Sequence, residues 1–144
     1  MIDTYSHNGE GYNPFLITPK WQVAQLNHAA EEELDAIERL DIHFLTDEAF
    51  FLVEGQAVLI AAEVDGESIT YDLQLMQAGI TYNIPKNVWH NIAMYKGSKV
   101  LIIENANTHL PLPGGDYDFH YLNEAQKKDL QKQVNKLINN KNGD

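Results

Sequence analysis

The chain contains no cysteine. Disulfide staples, thiolate metal ligands and a cysteine nucleophile are therefore excluded. Positive charge is scarce as well: 10 Lys and Arg residues stand against 21 Asp and Glu, for a formal net charge of -11. The summed field of such a chain repels a phosphate backbone and an anionic lipid surface, so nucleic acid and membranes are not expected partners. Long apolar runs are missing too, and nothing approaches the ~18 consecutive apolar residues that a membrane span needs. The opening residues MIDTYSHNGEGYNPF carry neither the basic nor the apolar stretch of a secretory leader. The expectation is a soluble cytoplasmic protein.

What is there is a chain of 144 residues, enough for one domain with a sizeable core and too short for a second. Its β-rich segments are short and separated by turn residues at near-regular spacing, which predicts an all-β sandwich or barrel. Residues 1–20, with Gly9, Gly11, Pro14 and Pro19, read as an arm laid over the body or onto a partner subunit. A strand begins at Trp21 and runs to Leu26. Residues 29–36 combine helical spacing with strand alternation and stay undecided. From about Ile37 strand alternation takes over, placing residues 37, 39, 41 and 43 on one face and 38, 40 and 42 on the other. Further strands are predicted at Glu48–Val53, on both sides of the hairpin pair Asp65-Gly66, and at Ile80–Ile84, Trp89–Met94 and Val100–Asn105. The barrel core thus spans about 21–105. Pro111, Pro113, Gly114 and Gly115 make 106–122 a loop. Asn123 and Gln126 can cap a helix over about 123–139, with Leu130, Val134, Leu137 and Ile138 on one face.

Two stretches carry the chemistry: residues 41–55 read DIHFLTDEAFFLVEG, and residues 79–91 read GITYNIPKNVWHN. Side chains at period two on barrel strands project together into the interior, so His43, Glu48 and His90 can meet at one point. Two imidazoles and a carboxylate suit Fe(II), Mn(II), Ni(II) or Zn(II) and leave open positions for a substrate or O2. Arg39 shares the strand face of Asp41 and His43. It either pairs with Asp41 or Glu48 to make a metal-free polar cavity, or anchors a substrate carboxylate; with the strand register off by one it is merely solvated. Phe50, Leu52, Tyr82, Ile84, Trp89 and Met94 line or back a small-molecule pocket if the barrel is open, or simply pack its core. Among them Tyr82 is the one expected to carry a polar group inward. His7, His28, His109 and His120 read as exposed, with His109 and His120 flanking the Pro/Gly loop where they can reach the barrel mouth. Glu31, Glu32 and Glu33 read as a solvated surface.

Taken position by position, the span from about Trp21 to Asn105 resembles a single-domain cupin, a small jelly-roll β-barrel. The first cupin motif is His-x-His, three or four residues, Glu, six residues, Gly. It is matched by Asp41-x-His43, FLTD, Glu48, AFFLVE and Gly55, with Asp41 in place of the first histidine. The second is Gly, five residues, Pro-x-Gly, two residues, His, three residues, Asn. It is matched by Gly79, ITYNI, Pro85-Lys86-Asn87, VW, His90, NIA and Met94, with Asn87 for a glycine and Met94 for the final asparagine. Asn is among the residues that best tolerate the left-handed backbone a glycine would adopt there. TDE-x-F-x-x-x-x-G, NVWH and the C-terminal helix are also similar to those of a subgroup of small bacterial cupins.

The resemblance implies a divalent metal held by His43, Glu48 and His90, with Asp41 standing where a further histidine normally binds. It implies a small-molecule ligand and, with metal in place, an enzyme such as an oxygenase or isomerase. Without metal, the same barrel would be a ligand-binding or sensing module. Cupins commonly pair sheets or exchange N-terminal strands, so a homodimer is expected, with the arm before Trp21 and the helix after Asn123 as candidate contacts.

Overall fold

The structure, a computed structural model, describes residues 1–110 and 115–142. Among them are ten strands: β1 (Gly11–Ile17), β2 (Trp21–Asn27), β3 (Arg39–Ile42), β4 (Glu48–Glu54), β5 (Ala57–Asp65), β6 (Ser68–Leu75), β7 (Thr81–Ile84), β8 (Trp89–Met94), β9 (Lys99–Asn105) and β10 (Asp118–Tyr121). One helix follows, α1 (Glu124–Asn142). The strands form two five-stranded sheets, ordered β1-β2-β9-β4-β7 and β10-β3-β8-β5-β6. Every pairing is antiparallel and the chain passes repeatedly from one sheet to the other, the jelly-roll arrangement in which two sheets face a shared core. Alternate side chains of both sheets fill that core, among them Leu26, Phe50, Leu52, Leu59, Ile92 and Ile102.

A second apolar layer lies on the other side of the β10-β3-β8-β5-β6 sheet. Leu40, Val58, Ile60 and Ala93 pack there against Leu34 and Ile37 of the segment before β3, and against Leu122, Leu130 and Val134 at the chain's end. The helix starts where expected. The Gln126 N–H donates to Asn123 Oδ1 at 2.9 Å, and the Asn123 N–H donates to Gln126 Oε1 at 2.8 Å, a reciprocal capping box. The undecided segment before β3 resolves into two 3-10 turns, Ala30–Glu32 and Leu34–Ala36, because Leu34 and Ile37 must both bury against the sheet.

Several expectations need correction. The N-terminal arm is shorter than 1–20, since Gly11–Ile17 pairs with β2 as an edge strand, with a register shift between Asn13 and Leu16 where Pro14 sits. A proline and a bulge are tolerated at an edge, which is why these residues do not look like a strand in sequence. The 106–122 segment is not all loop, because β10 pairs with β3 from Asp118↔Ile42 to Tyr121↔Arg39. The expectations for Pro111, Pro113 and Gly114 lie outside the described residues. In the β5–β6 hairpin Asp65 remains in the ladder opposite Ser68, so the two turn residues are Gly66 and Glu67. Gly66, at φ 62°, takes the positive angle that the first turn position demands. Asn87 stands at φ 68° and its N–H donates to the His43 carbonyl at 2.7 Å, the left-handed position expected for it. No described helix is long and apolar enough to cross a membrane.

Candidate metal centre

β3, β4 and β8 deliver the two histidines and the glutamate to one point. Asp41 is the cross-strand partner of His90, and His43 follows β3 directly. His90 Nε2 lies 2.7 Å and His43 Nε2 3.3 Å from Glu48 Oε2, and all three residues are buried. One donor atom from each falls within 4.8 Å of the others. Both rings are fixed from behind. His90 Nδ1 donates to the Val88 carbonyl at 2.9 Å and His43 Nδ1 donates to the Asp116 carbonyl. A carbonyl only accepts, so Nδ1 carries the hydrogen in each ring and Nε2 is turned to the centre. Asp116 also clamps the turn after His43, its carboxylate accepting the N–H groups of Phe44 and Leu45, each at 2.8 Å.

Glu48 Oε2 nonetheless has no hydrogen-bond partner among the described residues, because neither imidazole contact has hydrogen-bond geometry. Two back-anchored ring nitrogens aimed at one buried, partnerless carboxylate oxygen are a donor set that fits a divalent cation. Without a metal the electrostatics are those of an ion pair, whose protons a bound cation would displace. Burial pushes the Glu48 carboxyl up, but the positive charge of the two rings outweighs it and holds the group well below the ordinary carboxylate range. Burial lowers both imidazoles, and Glu48 more than reverses this, so both stand above the ordinary histidine value.

Asp41 lies on the same wall but is turned elsewhere. It accepts a hydrogen bond from the Tyr117 hydroxyl at 2.8 Å, and Arg39 Nε lies 3.3 Å from the same oxygen, Oδ1. Arg39, the single arginine of the chain, also donates to the Tyr117 hydroxyl and lies 4.7 Å above the Phe119 ring centroid. Burial raises the Asp41 carboxyl, with Tyr117 and Arg39 acting against it.

These groups line one cavity of about 370 Å³ together with Phe50, Ile92 and Ile102. Of the predicted pocket residues, Arg39 and Phe50 are on its wall. Trp89 is not. His90 faces inward, so its chain neighbour faces outward, where Trp89 packs against the second apolar layer and His120. Met94 points inward but is fully buried in the barrel core, off the cavity wall. Tyr82 packs on the same core, and its hydroxyl accepts the Gln77 N–H at 2.9 Å instead of reaching the cavity.

The four outlying histidines are half-buried, not exposed. His7 contacts the Gly11 carbonyl at 3.0 Å and His28 contacts Glu33 at 2.8 Å. His109 reaches the cavity, its Nδ1 3.2 Å from Gln22 Nε2. Glu32, expected in solvent, also lines the cavity. Glu104, Tyr12 and Tyr117 were missed outright as cavity residues. Glu104 had a usable signal, because Val100, Ile102 and Glu104 alternate along one strand and the first two are plainly core.

No family model and no curated protein matches the chain. Solved structures do. Protein BH2720 from Bacillus halodurans is 16% identical over 80% of this chain and 80% of that one, with a TM-score of 0.53. A cupin-2 domain containing protein from Shewanella frigidimarina is 22% identical over 69% of this chain and 84% of that one, at TM-score 0.43. KdgF from Halomonas sp. is 13% identical over 66% and 78%, at TM-score 0.45. The fold shared with BH2720 is the two-sheet antiparallel jelly roll described above. At such identities the likeness concerns the fold alone, and the chemistry rests on this chain's own residues.

Proposed function

We propose that this cupin-fold protein binds one divalent metal ion through His43, Glu48 and His90 and acts on a small organic molecule in the adjoining cavity. The supporting observation is the convergence of two Nδ1-anchored imidazoles on a buried carboxylate oxygen without a hydrogen-bond partner among the described residues. Fe(II), Mn(II), Ni(II) and Zn(II) suit this donor set, and such an ion supplies a Lewis acid or an O2-binding site. The chain's own residues bind and orient. Arg39 and Tyr117 present donors for a carboxylate or hydroxyl of the ligand, and Phe50, Ile92 and Ile102 hold its apolar part and exclude water. Elemental analysis of protein purified without chelator tests the reading. About one equivalent of metal, lost in His43→Ala and His90→Ala, supports it; a site that stays empty after reconstitution refutes it.

A second reading is a metal-free barrel that binds or senses a small ligand. It is favoured by the Arg39, Asp41 and Tyr117 network, which already satisfies the acid at the fourth motif position. Ligand binding undiminished by chelation would support it. We also propose a cytoplasmic homodimer. Among the described residues the helix covers one sheet, whereas Trp21, Ile103 and Val53 are exposed on β2, β9 and β4 of the other, whose edge strand is β1. Light scattering that reports only monomer at micromolar concentration would refute the dimer.

A further inference from the structure

Glu104 is buried at 6% exposure on β9, and it faces inward opposite its cross-strand partner Gln22, which is fully buried. Its Oε1 is held in place. Gln22 Nε2 donates to it at 3.1 Å and the Tyr12 hydroxyl at 3.5 Å, while Gln22 Oε1 accepts the Asn107 N–H at 2.8 Å. Its Oε2 has no partner among the described residues and lies 3.8 Å from His43 Nε2. The same nitrogen is 3.3 Å from Glu48 Oε2, the other buried carboxylate oxygen without a partner. Two such oxygens facing one ring nitrogen are costly unless the ring is protonated or a metal cation takes the place of its proton. Donors about 2.0–2.2 Å from a tetrahedral ion stand roughly 3.3–3.6 Å from one another, close to both separations from His43; Glu104 is not within 4.8 Å of all three other donors, so its side chain would close inward on the ion.

We propose that Glu104 is the fourth protein ligand of the metal site, while Asp41 is held away from the ion by Tyr117 and Arg39. The inference rests on the metal reading above and changes its donor set to two imidazoles and two carboxylates. Gln22 and Tyr12 are then positioning residues that fix which oxygen of Glu104 faces the ion. The added carboxylate makes the donor set richer in oxygen, which tilts preference toward Mn(II) and Fe(II) over Cu(II).

Cobalt(II) is a suitable probe, read by calorimetric titration and by its visible absorption. Glu104→Gln is expected to weaken Co(II) binding by at least about 10-fold and to alter the absorption bands, whereas Asp41→Asn stays within about 3-fold of the wild type and keeps its spectrum. His90→Ala abolishes binding. A Glu104→Gln protein with wild-type affinity and spectrum overturns the role of Glu104 and leaves the three-residue site standing. A wild-type protein that takes up no Co(II) removes both readings. Should the glutamine variant not fold, a crystal structure of the cobalt-loaded wild type decides. A Glu104 oxygen about 2.0–2.2 Å from the ion supports the assignment, and one beyond about 3 Å overturns it.

Discussion

The two faces of the β3, β8 and β5 strands carry opposite chemistry. Inward stand Arg39, Asp41 and His90 around a polar cavity; outward stand Leu40, Val58, Ile60, Trp89 and Ala93 under the helix. Residues adjacent in the chain, such as Trp89 and His90, belong to different environments because the strand alternates. The two faces divide the labour. The outer face contributes mainly apolar burial, with the Tyr71 and Tyr95 hydroxyls as its buried polar groups, whereas the inner face holds carboxylates and imidazoles whose burial opposes folding unless they are paired or coordinated.

That division can be broken from either side. Leu130→Ala, at a fully buried helix position of the outer layer, is expected to lose about 2–5 kcal/mol in denaturant unfolding. Its Co(II) affinity should be unchanged, and a large change would show that the faces are coupled. Glu48→Gln, on the opposite sheet but facing the same cavity, should weaken metal binding by at least about 100-fold and also remove the stability that its charge gives the apoprotein at neutral pH. Calorimetry and thermal melts of that variant check both halves of the statement.

Proton linkage separates the faces between about pH 4 and 9, where the inner-face groups titrate while the raised outer-layer tyrosines stay neutral. The His43 pKa is raised from 6.5 to about 9, so its contribution to apoprotein stability is fully present below pH 6.5 and is lost as pH rises through 9. Glu104, raised by burial and then by Glu48 from 4.5 to about 7, resists ionisation in the fold, so it too lowers stability as pH rises through that interval. Glu48 is depressed from 4.5 to about 2, and its contribution is present above 4.5 and lost only as pH falls toward 2. Melts in chelator should therefore show greatest stability near pH 5 and a decline toward pH 9, a decline that saturating Zn(II) removes. An apoprotein equally stable at both pH values would contradict this account. The smallest effect belongs to the helix start, where Asn123→Ala should cost about 1 kcal/mol with metal binding untouched, as read by urea unfolding.

Much of this was visible before the fold was known. The alternation that put Arg39, Asp41 and His43 on one face holds, although it starts at Arg39 and Ile37 packs with Leu40 in the outer layer; the helix cap at Asn123 and Gln126 and the spacing that brings Glu48 to both histidines hold as well. The same alternation, applied to residues 89 and 90, already forbids Trp89 from sharing the cavity with His90. Other features had no local signal. β10 is four residues long and is a strand only because β3 offers it an edge, and β1 is disguised by Pro14 at its bulge. Tyr117 matters only through its contact with Asp41, a partner 76 positions away in the chain.

The Asp116 clamp also carries a statement about timing. The carbonyl that fixes the His43 ring comes from 73 positions further along the chain, and the carboxylate of the same residue secures the two amides that follow His43. Contacts of such long range form late, after the loop between them has closed. During synthesis, then, the ring that presents Nε2 to Glu48 is set only when the segment leading into β10 docks on β3. A metal ion arriving earlier would meet an imidazole still able to rotate, so metal acquisition should follow folding and not nucleate it.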